Sequence, residues 1–294
     1  MRASVVALLI VVAGLEPFVH AAEVHDVWPA LAPGETERSR GEVLPYRATE
    51  RPRVTRVVKI SRPTYTVHLA ENPSGSAVII LPGGGFGKVV PDKEGTEAAV
   101  WLNAQGISAF VLSYRTTENR QTPGWIKPLQ DAQRLMALIR SQADGYGLQK
   151  DRIGLVGFSA GGQVAAKLLC DQGKLAYEPI DAVDEVSHRP DFSLLIYPWN
   201  IYDKQQQTLI EGVTVPTNCP PVFLVHTDDD ASSSLGAVLF YAELKKLGTG
   251  VGAVAKVTRV PDTEAAALAA SSMEAGLVAS HRVLCPWVVT WHDI

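Results

Sequence analysis

Cysteine is scarce in this chain, with 3 among 294 residues. Cys170, Cys219 and Cys285 lie far apart, match no metal-ligand spacing and are odd in number, so at least one thiol is left unpaired within the chain. Buried thiols are the expectation. An excess of charge is also lacking: 27 Lys and Arg stand against 31 Asp and Glu, a net charge of −4, and the basic residues are scattered among acids. Without a basic field to gather phosphates, nucleic acid is excluded as a partner. No repeat period recurs, which excludes a solenoid or propeller. What is plentiful is apolar material, 46% of residues, enough for one large core.

No apolar run is long enough to span a bilayer. The longest near the start, Val5 to Val12, falls short of the roughly 20 residues required, and Glu16 with Pro17 breaks it. Arg2 ahead of that run and Val19-His20-Ala21 behind it have the order of a cleavable secretory signal over residues 1–21. The competing reading is an uncleaved anchor; no Cys follows to support a lipid-anchored form. A mature chain from Ala22 would be secreted or periplasmic, with no stable membrane insertion, where its cysteines can oxidise.

Residues 22–63, rich in Pro, Arg and Glu, read as an extended lead-in. The remainder, 64–294, reads as one domain whose texture becomes atypical after about residue 250. Strand-like runs fall at Thr64 to Ala70, Ser76 to Pro82, Ser108 to Tyr114, Arg152 to Phe158, Phe192 to Pro198, Pro221 to Thr227 and Ala253 to Val260. Helical patterns over Glu94 to Gln105, Ile126 to Gln142, Ala160 to Leu169 and Ser234 to Leu247 alternate with them. Continuous apolarity in the strands and alternation with helices predict an α/β fold, a mostly parallel sheet of about eight strands with helices on both faces. Functional loops then gather at the carboxyl ends of the strands.

Three motifs fall at such ends. GFSAG, Gly157 to Gly161, lies between a strand and a helix, where its glycines allow a sharp turn that exposes the Ser159 hydroxyl beside the amides of a helix start. A plain Gly-rich turn is the bland alternative. LPGGGFG, Leu81 to Gly87, supplies bare amides suited to an oxyanion; it lacks the Lys-Ser/Thr of a phosphate loop and the spacing of a dinucleotide loop. VHTDDDASSS, Val225 to Ser234, carries acids on the loop after a late strand, where a carboxylate can orient a catalytic histidine. Asp230 is the first choice and Asp229 the next; either could be a solvated turn or a cap. Serine before acid is the chain order of an α/β-hydrolase.

With PGGGF, EAAVWLNAQGISAFVLSYR, PLQDAQRLMALIR, RIGLVGFSAGG, RPDFSLLIYPW and VHTDDD before LFYAELKKLG, the chain from about Val58 to Leu247 resembles the α/β-hydrolase superfamily. More closely it resembles secreted esterases grouped with bifunctional feruloyl and acetylxylan esterases, related to the hormone-sensitive-lipase branch. The resemblance implies Ser159 as nucleophile, Asp230 as orienting acid and the amides of Gly84, Gly85 and Ala160 as oxyanion hole, with no cofactor. Pro82 stands where many lipase-branch relatives carry His. The implied substrate is an acetyl or feruloyl ester of a carbohydrate; a serine peptidase of related fold is the second enzyme class. Trp125, Tyr197, Trp199 and Tyr202 could line a sugar or aromatic pocket, although core packing explains the tyrosines equally.

The catalytic base is missing from its place. The resemblance calls for Gly-Gly-His-Gly after LKK and one further strand, yet KVTRVPDTEAAALAASS puts Glu264 and Ala265 for the glycines and Ala266 for the histidine. His20, His25 and His68 precede the serine, His188 lies in a loop before the acid, and His226 ends a buried strand. His281 is the strongest replacement, ahead of His292. The alternatives are a pseudo-enzyme that keeps the fold and a C-terminus altered by a shift of reading frame.

Overall fold

The apolar runs become strands. A computed structural model describes residues 23–117, 123–227, 229–249 and, as backbone, 255–257. The predicted signal, Cys285 and the tail beyond residue 257 lie outside the described residues. In chain order the strands are β1 (Val24–Asp26), β2 (Arg40–Val43), β3 (Val57–Ile60), β4 (Thr64–His68), β5 (Ala77–Leu81), β6 (Ser108–Ser113), β7 (Ile153–Phe158), β8 (Ser193–Ile196), β9 (Tyr202–Asp203), β10 (Thr208–Leu209), β11 (Val222–Thr227) and β12 (Ala255–Val257). The helices are α1 (Glu97–Ala104), α2 (Ile126–Ser141), α3 (Ala160–Leu169) and α4 (Leu235–Lys246).

Eight strands form one sheet in the order β1-β4-β6-β5-β7-β8-β11-β12. The strands from β6 to β12 run parallel, and β4 and β1 close one side antiparallel. The α/β expectation and its mostly parallel sheet are therefore met. Alternation along each strand divides the core into two layers. Ile79, Leu81, Leu155, Leu195 and Leu224 face one side, where α2, α3 and α4 supply Leu129, Leu135, Val164, Leu168 and Phe240. Val78, Ile80, Val156, Ile196 and Val225 face the other, where α1 supplies Ala99 and Leu102.

The segment read as a lead-in contributes more than an approach. Val24–Asp26 pairs with β4 as an outer strand of the main sheet, while Arg40–Val43 and Val57–Ile60 form a separate hairpin. Strands of three or four residues are too short to show period-two patterning in sequence, so composition alone pointed to irregular chain. In α2 the buried positions Leu129, Ala132, Met136 and Ile139 recur at helical spacing. Pro128, in the first turn, removes no intrahelical bond.

Parallel order fixes where the site falls. Leu81 pairs with Gly157, Phe158 with Ile196, and Ile196 with Val225, so the carboxyl ends of β5, β7, β8 and β11 stand side by side.

Candidate active site

Ser159 sits between the last residue of β7 and the first of α3, with φ 50 and ψ −117. A left-handed backbone at a non-glycine residue costs about 1–3 kcal/mol and persists only where surroundings impose it. Here they do: the Ser159 amide donates to the Ile196 carbonyl at 3.0 Å, and its carbonyl accepts from the Trp199 amide at 2.8 Å and the Gln163 amide at 3.2 Å. The glycines of GFSAG are required by close approach. A Cβ at Gly157 would meet the Gly161 carbonyl oxygen at 2.6 Å, and one at Gly161 would meet that of Leu81 at 2.0 Å. The helix start is thereby packed directly on the end of β5.

The loop after β5 lies against this turn. Gly84 has φ 137, and a Cβ there would meet the Lys88 carbonyl oxygen at 2.1 Å, so only glycine serves. Gly83 presses on Ser159: its added Cβ would lie 2.7 Å from the Ser159 Cβ and 2.5 Å from Glu94 Oε2. The Gly83 amide donates to that same Glu94 oxygen at 2.7 Å, which leaves the amides of Gly84 and Gly85 uncommitted among the described residues. Phe86, at φ 64, packs edge-on against Trp199 with ring centroids 5.8 Å apart.

Asp230 stands on the loop after β11. Its Oδ1 accepts from the Ser232 amide at 2.7 Å, and its Oδ2 lies 3.8 Å from His226 Nε2, beyond hydrogen-bond reach. The Ser232 hydroxyl accepts from the Asn200 amide at 3.0 Å, one residue past the Trp199 amide that holds Ser159. The acid loop and the serine turn are thus joined through residues 199–200. Asp229 is exposed on the same loop.

Among the described residues no histidine hydrogen-bonds Ser159. His25 stacks on Tyr65, and His68 contacts the Thr66 hydroxyl. His188, expected in a loop, is in one, but buried and within 3.1 Å of Asp171. His226 is the packed histidine the sequence suggests: burial pushes its pKa below the ordinary value, against the opposing pull of Asp230. Ala266, His281 and His292 lie outside the described residues. Of the aromatic candidates, Tyr197 and Trp199 adjoin the serine turn, Trp125 carries Lys167 over its ring at 3.9 Å, and Tyr202 belongs to the β9–β10 hairpin. Cys170 and Cys219 are buried free thiols whose pKa values burial pushes up to about 12 and about 11.

Sequence reasoning missed Glu94. Burial pushes its carboxyl above the ordinary carboxylate value, opposed by hydrogen bonds from the Gly83 amide and the Tyr197 hydroxyl and by Lys93. Acids are common at helix starts, so PDKEGTE offered no signal that one of them turns inward.

A mixed sheet with this strand order, with a serine turn between a central strand and its helix and a glycine loop beside it, is the α/β-hydrolase fold. The crystal structure of an acetyl ester-xyloside bifunctional hydrolase from Caldicellulosiruptor lactoaceticus is similar at TM-score 0.62 and 25% identity, covering 88% of this chain and 98% of that one. Est2, an esterase of the Planctomycetes species Thermogutta terrifontis, shares the fold at TM-score 0.63 and 17% identity, covering 83% and 96%. Residues 65–189 match the family model described as BD-FAE. An acetylxylan esterase of Xylanibacter ruminicola is 34% identical over 130 residues, 44% of this chain and 24% of that protein. Endo-1,4-beta-xylanase B of Butyrivibrio fibrisolvens is 29% identical, covering 52% of this chain and 27% of that one. The chain spans about a quarter of the length of these curated relatives.

Proposed function

We propose that the chain is a serine carboxylic-ester hydrolase that removes acetyl or feruloyl-type groups from a carbohydrate through an acyl-Ser159 intermediate. The observation that carries this reading is the Ser159 backbone at φ 50, held between β7 and α3 beside the glycine loop. Attack of the Ser159 hydroxyl oxygen on the ester carbonyl transfers its proton to a base, and the oxyanion that forms is held by the amides of Gly84, Gly85 and Ala160. Collapse expels the sugar alkoxide, which takes that proton, and water then releases the acid and frees the serine. Asp230 orients the base in this scheme. The carbohydrate ester is suggested by relatives named for acetylxylan and xyloside hydrolysis. A secreted or periplasmic site of action follows from the signal-like residues 1–21; among the described residues no helix is long and apolar enough to cross a membrane.

Hydrolysis of p-nitrophenyl acetate by the full chain, beside Ser159→Ala and His281→Ala, tests the reading, with acetate and ferulate release from acetylated xylan and feruloylated arabinoxylan to assign the acyl group. Loss of about a thousandfold or more in Ser159→Ala is expected. A matching loss in His281→Ala makes that residue the base. A parent no faster than Ser159→Ala would overturn the reading in favour of the catalytically impaired hydrolase that Ala266 suggests. Turnover of p-nitroanilides in preference to esters would favour a peptidase.

A further inference from the structure

A half-buried carboxyl group behind the glycine loop has no part in that scheme. Glu94 lies in the short π-helical turn Asp92–Thr96 before α1 and is the one residue there with non-helical backbone, φ −106 and ψ 18. Its side chain is directed inward. Oε2 accepts from the Gly83 amide at 2.7 Å, and Oε1 accepts from the Tyr197 hydroxyl at 3.1 Å. The point 2.5 Å from that Oε2 where a Gly83 Cβ would sit is also 2.7 Å from the Ser159 Cβ, so the carboxyl and the nucleophile flank one glycine. Tyr197, at φ 37, is itself strained, and its amide is tied to the Val225 carbonyl at 2.6 Å.

Burying a carboxyl costs free energy that a surface position would avoid, so its two hydrogen bonds must offset a real penalty. Both go to segments that have to be still for catalysis: the loop carrying the oxyanion amides and the end of β8 that receives the Ser159 amide. We propose that Glu94 is a positioning residue of the ester-hydrolase site, tying the oxyanion loop through Gly83 to the Tyr197 end of β8 and holding the Gly84 and Gly85 amides in register with Ser159. The role in turnover rests on the ester-hydrolase reading; the tie itself does not. The groups facing Glu94 are Lys93 on its own turn, Tyr197 just after β8, Tyr114 just after β6 and the Gly83 amide. Of these only Lys93 is cationic.

The test combines kinetics with a readout that needs no turnover. For p-nitrophenyl acetate, Glu94→Ala should lower kcat by roughly a hundredfold, the scale of one misplaced oxyanion donor, with KM changed by less than about threefold. Glu94→Gln, whose amide oxygen still accepts from Gly83, should recover most of that loss. A kcat for Glu94→Ala within about threefold of the parent, or a Glu94→Gln as impaired as Glu94→Ala, would overturn the proposal. In parallel, the Gly83 amide resonance of the isotopically labelled full chain should shift with pH as Glu94 titrates, and that shift should vanish in Glu94→Gln. If the parent proves no faster than Ser159→Ala, the ester reading falls by itself and the Gly83 titration alone decides the tie: a pH-independent resonance sinks it.

Discussion

Arg115 is a fully buried guanidinium with every arm engaged. Its Nε donates to Asp131 at 2.9 and 3.1 Å, Nη1 to the Pro33 carbonyl at 2.6 Å, and Nη2 to Gln130 Oε1 at 2.8 Å. Asp131, equally buried, also accepts from the Trp28 indole at 2.8 Å and from the Arg115 amide at 2.9 Å. Removing one partner strands the other charge away from water, which typically costs about 3–5 kcal/mol. Arg115→Met should therefore lower unfolding free energy by roughly that amount in urea titrations, and a loss under about 1 kcal/mol would contradict this account. Neither residue is recognisable in sequence. An Arg and an Asp 16 positions apart read as surface charges until the fold closes around both.

At the scale of elements, β11 carries a buried histidine one residue before its end. His226 is 2% exposed, and burial holds its pKa below the ordinary 6.5; His68 is shifted in the same direction by the same cause. A depressed folded value means the unfolded chain binds the proton more readily. Stability from this source is complete above about pH 6.5 and is lost as pH falls below it, by at most about 1.4 kcal/mol per pH unit for each group. Glu94, whose pKa is raised, works in the opposite sense, so the parent must be compared with a variant. Urea midpoints measured at pH 7.5 and 5.5 should drop less in His226→Leu than in the parent. Equal drops would place the acid sensitivity elsewhere.

For the whole molecule, the consequential feature is the chain before residue 34. It supplies β1 to the sheet, Trp28 to the core at 3% exposure, and the Pro33 carbonyl to Arg115. Trp28 also lies under the guanidinium groups of Arg115 and Arg134, at 5.8 and 5.7 Å from its ring. A chain lacking residues 23–33 would bare β4 as an open edge and leave Asp131 short of a donor. Loss of a buried Trp alone costs about 3–5 kcal/mol, so the melting temperature should fall by roughly 10 °C. The unpaired edge should add concentration-dependent light scattering. A truncated chain that melts with the parent and stays monodisperse would contradict both expectations.

The architecture was legible because its causes are local. Long apolar strands and helices with 3.6-residue spacing announce themselves within their own windows, as do a Gly-rich turn at Ser159 and the glycines at 83–85. Those patterns determined the parallel sheet and the strand ends where the candidate site lies. What only the tertiary structure decided are the relations between distant segments: Glu94 behind Gly83, Ser232 joining the Asp230 loop to Asn200, and a short N-terminal strand drawn into the main sheet. Each depends on burial or on a hydrogen bond across many residues, and a carboxylate bound for the interior has the same letter as one bound for water.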